Sequence, residues 1–331
     1  MLLAGDIGGT KTNLALYSSR DELHAPRYEA TFPSANYATL ADLVQDFLAR
    51  FAVPVERAVF GVAGPVLGGK AKVTNLPWVM EEEQLQQALH IPAVHMLNDL
   101  VAMAEAVPAM EASDLYTLSP GKPVARGPVA VIAPGTGLGE AFLAWDGARY
   151  RTLPSEGGHA DFAPTNAFEI GLLVYMLERL PHVSYEHVGS GIGLPHIYAY
   201  MKSSGFLEEP AWLTERLTKV TDITPLIVEG AMQKSDPAAL CAATIRAFVS
   251  ILGAEAGNMA IKLLTTGGVY IGGGIPPRIL PYLEGENFKR AFINKGRFSN
   301  LLADIPVHVI LNPKIALVGA ASYGFQFQSR I

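Results

Sequence analysis

"GDIGGTKT", residues 5–12, and the "NLALY" that follows it, residues 13–17, decide how this chain folds. The first stretch matches a P-loop, G-x-x-x-x-G-K-[ST], at Gly5, Lys11 and Thr12, but Thr10 stands where the second glycine belongs. A P-loop must open a helix, whose N-terminal N–H groups hold the phosphates. "NLALY" instead alternates polar and apolar residues, the pattern of a strand. Strand, glycine turn, strand is a hairpin. Gly8 and Gly9 are expected to supply the positive φ of a tight turn and to let backbone N–H groups approach a ligand, with hydroxyl donors from Thr10 and Thr12. Taken alone, the stretch is equally an ordinary hairpin whose glycines serve geometry only.

A chain of 331 residues has room for two domains, each with its own core. Half of the residues are hydrophobic and 17% are charged, the balance of an ordered globular protein. Lys and Arg total 25 against 31 Asp and Glu, a net charge of -6 with no long basic run, which argues against nucleic acid or an anionic membrane as a partner. Backbone dipoles can still hold a small anion locally. The single cysteine, Cys241, excludes an internal disulfide and a thiolate zinc cluster, and fits a reducing, cytoplasmic home. "MLLAGDIGG" has neither the basic flank nor the long apolar core of a signal peptide. Arg246, Glu255 and Lys262 interrupt the alanine-rich stretch after Ser235, so no membrane span is expected.

Outward from the hairpin, short β-branched runs alternate with helical patterns. "RAVFGV" (57–62), "AVHML" (93–97), "VAVIA" (129–133), "VYIGG" (269–273) and "VHVIL" (307–311) read as buried strands. Leu40, Leu43, Val44, Phe47, Leu48 and Phe51 form one apolar helical stripe, and Ser235, Asp236 and Pro237 read as the start of a long helix running toward Gly267. The alternation predicts an α/β protein. "APGTGLGEAFLAW" (133–145) repeats the plan of the opening stretch, which suggests two related lobes, although two copies are also within reach of convergent turn chemistry. The Pro- and Gly-rich segment from Val107 to Gly127 reads as the link between the lobes. The expected division is a small α/β lobe, residues 1–109 with 312–331, and a large α+β lobe, residues 110–311. The last helical pattern, 314–325, could pack on either lobe by its own sequence.

Candidate chemistry lies at strand ends and glycine turns. Asn98 and Asp99 close a strand and open a helix, where ligands of α/β proteins bind. Asp99 is either a helix cap or a carboxylate base for a hydroxyl attacking phosphorus. In "PSEGGHADFAPTN" (154–166), Glu156 and His159 flank two glycines, a spacing that brings both side chains to one side to meet hydroxyls, as sugars require. A metal site at His159-x-Asp161 or a plain polar loop are the competing readings. Glu186 is a further hydroxyl acceptor or an acid of a first helical turn. "GTGLG" (135–139) is a second hairpin turn, and Gly272, Gly273 and Gly274 form a strand-to-helix corner, with a helix starting at Pro276 or Pro277, against which an adenine ring could lie.

Together these motifs resemble the bacterial glucokinase family, part of the superfamily of hexokinases, actin and heat-shock ATPases. The resemblance runs through "GDIGGTKTNLALY", "GVAGPV" (61–66), "TNLPW" (74–78), "LNDLVAMA" (97–104), "PGTGLG", "SEGGHADFAP" (155–164), "EHVGSGIGL" (186–194) and "IGGGI" (271–275), in that order and over nearly the whole chain. It implies a two-lobed actin-like ATPase (ribonuclease H-like) fold, with mixed sheets flanked by helices and a cleft between the lobes. It further implies glucose and ATP as substrates, Mg2+ as cofactor, and a homodimer. By resemblance, Asp99 is the general base for the sugar 6-hydroxyl, and Asn98, Glu156, His159 and Glu186 hold the other hydroxyls. The turns at Gly8, Gly9 and Thr10 and at Thr136 and Gly137 hold the phosphates. Asp6 stands near the magnesium, through water, and Gly273 lies beside the adenosine. Lys11 occupies a position where family members commonly carry asparagine, and no catalytic task is assigned to it. Related kinases and repressors use a cysteine-rich zinc motif to orient the sugar-binding histidine. With Cys241 alone this chain resembles the zinc-free group, and His159 is expected to be oriented by hydrogen bonds and packing. The rival readings are another hexose kinase, a non-catalytic hexose-binding regulator and an actin-like ATPase. A regulator would need a DNA-binding segment, for which the first strand, four residues from the start, is expected to leave no room. An actin-like ATPase has no use for the Asn98, Asp99, Glu156, His159 and Glu186 set.

Overall fold

The opening hairpin forms from strand β1 (Leu2–Ile7) and strand β2 (Lys11–Tyr17), antiparallel, with Ile7 opposite Thr12. Both strands are almost wholly buried, which is why they read as near-continuous apolar runs. The computed structural model describes residues 1–73, 76–205, 207–233 and 238–326. The expected helix start at Ser235, Asp236 and Pro237 and the first two residues of "TNLPW" lie outside the described residues.

The chain divides into two compact units, Met1–Leu115 with Asn312–Ile331, and Tyr116–Leu311. In the first unit, β3 (Tyr28–Pro33) pairs antiparallel with β2, and β4 (Arg57–Val62) pairs parallel with β1. Strands β5 (Val66–Leu67), β6 (Lys70–Lys72) and β7 (Val79–Glu81) make a small antiparallel sheet of their own. Strand β8 (Ala93–Asn98) completes the main sheet in the order β3-β2-β1-β4-β8. The helix Leu40–Leu48 starts where Thr39 and Asp42 form a capping box, and buries Leu40, Leu43, Val44 and Phe47 of the predicted stripe. The helices Asp99–Ala106 and Ile315–Gln326 pack on each other, and the second also lies on β1 and β4, so the last helical pattern belongs to this unit.

The second unit carries β9 (Leu115–Ser119), β10 (Val129–Pro134), β11 (Leu138–Trp145), β12 (Tyr150–Ser155), β13 (Gly268–Ile271) and β14 (Val307–Ile310), in the order β12-β11-β10-β13-β14-β9. Its first five positions repeat the plan of the first unit: three antiparallel strands, then two joined in parallel. The internal echo read from the two glycine stretches is therefore an echo of sheet topology.

The segment expected to be a plain link differs. It holds short 3₁₀ turns at Val107–Ala109 and Ala112–Asp114 and then edge strand β9. The units part at Leu115/Tyr116 because the buried Asp114 is tied into the first, accepting from Asn312 Nδ2 at 2.8 Å and meeting His24 Nε2 at 2.8 Å. The helix Ala239–Leu263 is long and apolar enough to cross a membrane, but most of it, from Leu240 to Ala260, is buried in the core of the second unit.

Candidate active site

The turn of the first hairpin is braced from behind. Gly8 N–H donates to the Lys11 carbonyl at 3.1 Å, Ser34 Oγ donates to the Gly8 carbonyl at 2.7 Å, and Ser34 N–H donates to the Thr10 carbonyl at 3.0 Å. With those carbonyls occupied, the Gly9 and Thr10 N–H groups have no protein acceptor among the described residues, which is the arrangement of an anion cradle. Two expectations are corrected here. Gly8 and Gly9 are absent from the positive-φ glycines. Glycine is required at Gly8 by close approach instead, since a Cβ there would lie 2.9 Å from the Lys11 carbonyl oxygen. Thr12 does not face a ligand either: it is buried, with its hydroxyl 3.0 Å from Ser34 Oγ.

Beside this turn stand two carboxylates. Asp6, near the end of β1, accepts from Asn13 Nδ2 at 3.1 Å, and burial raises its pKa. Asp99 is the first residue of its helix, and Asn98 is the cap: Asn98 Oδ1 accepts from Leu100 N–H at 3.0 Å and Val101 N–H at 3.3 Å, while Nδ2 donates to the Gly64 carbonyl at 3.1 Å. Of the two readings at this strand end, Asn98 does the capping, which leaves Asp99 half-buried at the helix N-terminus. Desolvation pushes the Asp99 pKa up to about 6, with the negative charge of Asp6 adding to the rise and a bond from Leu100 N–H opposing it. Two carboxylates that repel each other in this way suit a hard dication. Mg2+ takes one or two carboxylates and completes its shell with water and phosphate.

The second unit carries a turn of the same kind. Gly135 N–H donates to the Gly137 carbonyl at 2.9 Å, Gly191 N–H to the Gly135 carbonyl at 2.8 Å and Ile192 N–H to the Thr136 carbonyl at 3.2 Å. The Thr136 and Gly137 N–H groups are left without a protein acceptor among the described residues. Gly273, at φ 85°, lies against the end of β10, so close that a Cβ would sit 2.3 Å from the Pro134 carbonyl oxygen. The 3₁₀ turn Pro276–Ile279 follows it.

Glu186 joins this turn to the loop after β12. It opens the short helix Glu186–Gly189, and its Oε2 accepts from Leu138 N–H at 2.9 Å. The carboxylate rests on Gly137, where a Cβ would fall 2.3 Å from Oε2, and its Oε1 lies 3.9 Å from His159 Nδ1. Glu156 precedes the 3₁₀ turn Gly157–His159, so both exposed side chains flank one tight turn, closed by His159 N–H to the Glu156 carbonyl at 3.0 Å. Asp161 meets His182 at 2.8 Å, and no cluster suited to a metal ion occurs among the described residues. The link from Glu186 to Gly137 was not read from the sequence, because it joins residues far apart in the chain.

Two glycine hairpins with open N–H groups, one in each unit and on sheets of one shared plan, are the architecture of the actin-like ATPase fold, the fold of sugar kinases. The Glucokinase family profile matches residues 3–326. A glucokinase of Trichormus variabilis is 43% identical over 97% of this chain and 98% of its own length. A crystal structure of glucokinase from an Antarctic psychrotroph superposes with a TM-score of 0.85 at 30% identity, over 98% of this chain and 99% of the other. A ROK family glucokinase from Streptomyces griseus, in complex with glucose and AMPPNP, shares the fold at a TM-score of 0.65 and 21% identity, covering 98% of this chain and 99% of that one. The chain belongs to the Glucokinase family, whose members are ATP-dependent hexose kinases.

Proposed function

We propose that this enzyme transfers the γ-phosphoryl group of MgATP to the 6-hydroxyl of glucose, giving glucose 6-phosphate and ADP, the first step of glycolysis. The observation that carries the reading is Asp99. A half-buried carboxylate with a pKa near 6 is ionised at neutral pH, yet basic enough to take a proton in a transition state. In this proposal Asp99 receives the 6-hydroxyl proton as that oxygen attacks the γ-phosphorus in line. Asn98, Glu156, His159 and Glu186 accept from and donate to the remaining hydroxyls. The N–H groups at Gly9 and Thr10 and at Thr136 and Gly137 hold phosphate oxygens, with Gly8, whose own N–H is spent on the Lys11 carbonyl, shaping the first turn and Gly273 beside the adenosine. Asp6 holds Mg2+ through water. The ion would neutralise charge on the phosphates. The family resemblance supports a homodimer, and the lone, buried Cys241 is in keeping with a reducing cytoplasm.

A coupled assay across hexoses and phosphoryl donors tests the proposal. Glucose with MgATP is expected to give the highest kcat/KM, and Glu156→Gln to raise the glucose KM about tenfold with a smaller change in kcat. A preference for another hexose, or for polyphosphate, would replace the reading. An unchanged glucose KM in Glu156→Gln would place this loop outside the sugar site.

A further inference from the structure

Beneath the loop that carries Glu156 and His159 lies a carboxyl group for which the reaction has no direct use. Glu140, in β11, is 2% exposed and stands opposite Ser155 of β12. A Cβ on Gly157 would fall 2.0 Å from Glu140 Oε2, so the loop backbone rests directly on this carboxyl. Gly157 N–H is held by Ser155 Oγ at 3.0 Å, which fixes the same contact from the neighbouring strand. Glu140 Oε1 is buried without a hydrogen-bond partner.

The charges that act on it come from the helix Ala239–Leu263. Glu255, 1% exposed, repels Glu140, and Lys262 attracts it. Glu255 is better supplied on one oxygen: Asn258 Nδ2 donates to its Oε2 at 2.8 Å and the Tyr185 hydroxyl bonds it, while its Oε1, buried without a hydrogen bond, has Lys262 Nζ at 3.6 Å. Lys295, which feels the charges of Glu255 and Glu169, donates to Asn258 Oδ1 at 2.7 Å and braces the cluster. Burial raises the pKa of both carboxyls, and the one with donors and a cation beside it holds its charge more readily than the one without.

We propose that Glu140 is a positioning residue for hexose binding: as a neutral carboxylic acid it supports the Gly157 backbone and so holds Glu156 and His159 in place, and its ionisation loosens them. The inference rests on the reading that this loop binds glucose. Burial, reinforced by Glu255, pushes the Glu140 pKa up to about 8. Above that pH the proton leaves to solvent and an unpaired charge remains under the loop, which must move to let water in.

The test is the pH profile of the glucose KM in the full-length enzyme. One proton lost near pH 8 is expected to raise the wild-type KM about tenfold between pH 7 and pH 9, with a smaller change in kcat. Glu140→Gln, neutral at every pH, is expected to keep the pH 7 KM within about threefold of wild type and to show less than about a twofold rise. Glu255→Gln, which removes the repelling charge, is expected to move the rise to lower pH while leaving it present. A flat wild-type profile, or a rise that survives in Glu140→Gln, overturns the inference. Should Glu140→Gln fail to fold, the wild-type and Glu255→Gln profiles decide. An unchanged KM in Glu156→Gln at pH 7 would sink the site reading instead, so the two failures are distinguishable.

Discussion

Replacing Asp99 by asparagine separates what this carboxylate does for the reaction from what it does to the fold. The native pKa stands at about 6 against an ordinary 3.8, so folding holds the ionised form at a disadvantage. Two units correspond to about 3 kcal/mol, and partial exposure of the side chain brings this to about 1–2 kcal/mol. The sign follows from the raised native pKa. The folded protein binds this proton more tightly than the unfolded chain does. Below pH 4 both states hold it and no penalty exists; as the pH rises through 6 the penalty becomes complete. Asparagine resembles the neutral form and keeps an oxygen for the Leu100 N–H bond, which is 2.9 Å long in the native protein. Asp99→Asn is therefore expected to raise the thermal midpoint at pH 8 by about 1.5–3 °C and to leave it unchanged near pH 4. Turnover should fall by about 10² or more, with the glucose Kd nearly unchanged, and the acid limb of the wild-type kcat/KM profile near pH 6 should be lost. Calorimetric melts at the two pH values and a coupled assay measure all of this. A variant less stable than wild type at pH 8, or one within tenfold of wild-type kcat, refutes the reasoning.

Two further outcomes are expected. Glu186→Gln weakens the charge-assisted bond to Leu138 N–H, and it should raise the KM for both glucose and ATP about five- to tenfold. A change in the glucose KM alone, read by initial rates with each substrate varied, would show that the turn at Gly137 does not depend on this carboxylate. Removal of divalent cations by chelation should abolish turnover and added Mg2+ restore it, with Asp6→Asn needing about tenfold more Mg2+ for half-maximal rate. Activity that persists in excess chelator would remove Asp6 from the proposed role.

The strands were legible because buried central strands are nearly continuous apolar runs: "RAVFGV" is β4 with the same limits, and "VAVIA" lacks only Pro134 of β10. Strand β9 was hidden, since it lies between the prolines and glycines of a segment that reads as a link, and its partner β14 is almost two hundred residues away. The turn at Gly8 was located from glycine content, but the positive φ assigned to it was wrong. The loop is shaped by Ser34, which follows β3 and leaves no local sign in the turn. In the sequence Glu255 and Lys262 stand only as interruptions of an apolar stretch, whereas folding buries Glu255 and places Lys262 beside it. Glu140 had a readable signal, a lone carboxylate within "LGEAFLAW", but its place under Gly157 depends on the register of β11 with β12.

The two glycine hairpins share a device and differ in what else they hold. In each, the carbonyls of the turn are tied by N–H or hydroxyl donors from elsewhere in its own unit, and the N–H groups are left to an outside acceptor. Beside the first turn, Asp6 and Asp99, the proposed general base, interact through charge, each repelling the other. The second is in direct contact with Glu186, whose two oxygens face Leu138 N–H and His159. A hydroxyl that draws on Glu186 must therefore alter the electrostatics at Gly137, within one residue of the open N–H groups. Because binding linkage is reciprocal, under the proposed roles a phosphate at Thr136 and Gly137 would alter the hydroxyl affinity of Glu186 by the same factor. This makes Glu186 the residue at which sugar and nucleotide affinities are expected to be coupled within the second unit, a role that a purely sugar-holding glutamate placed on a free loop would not have.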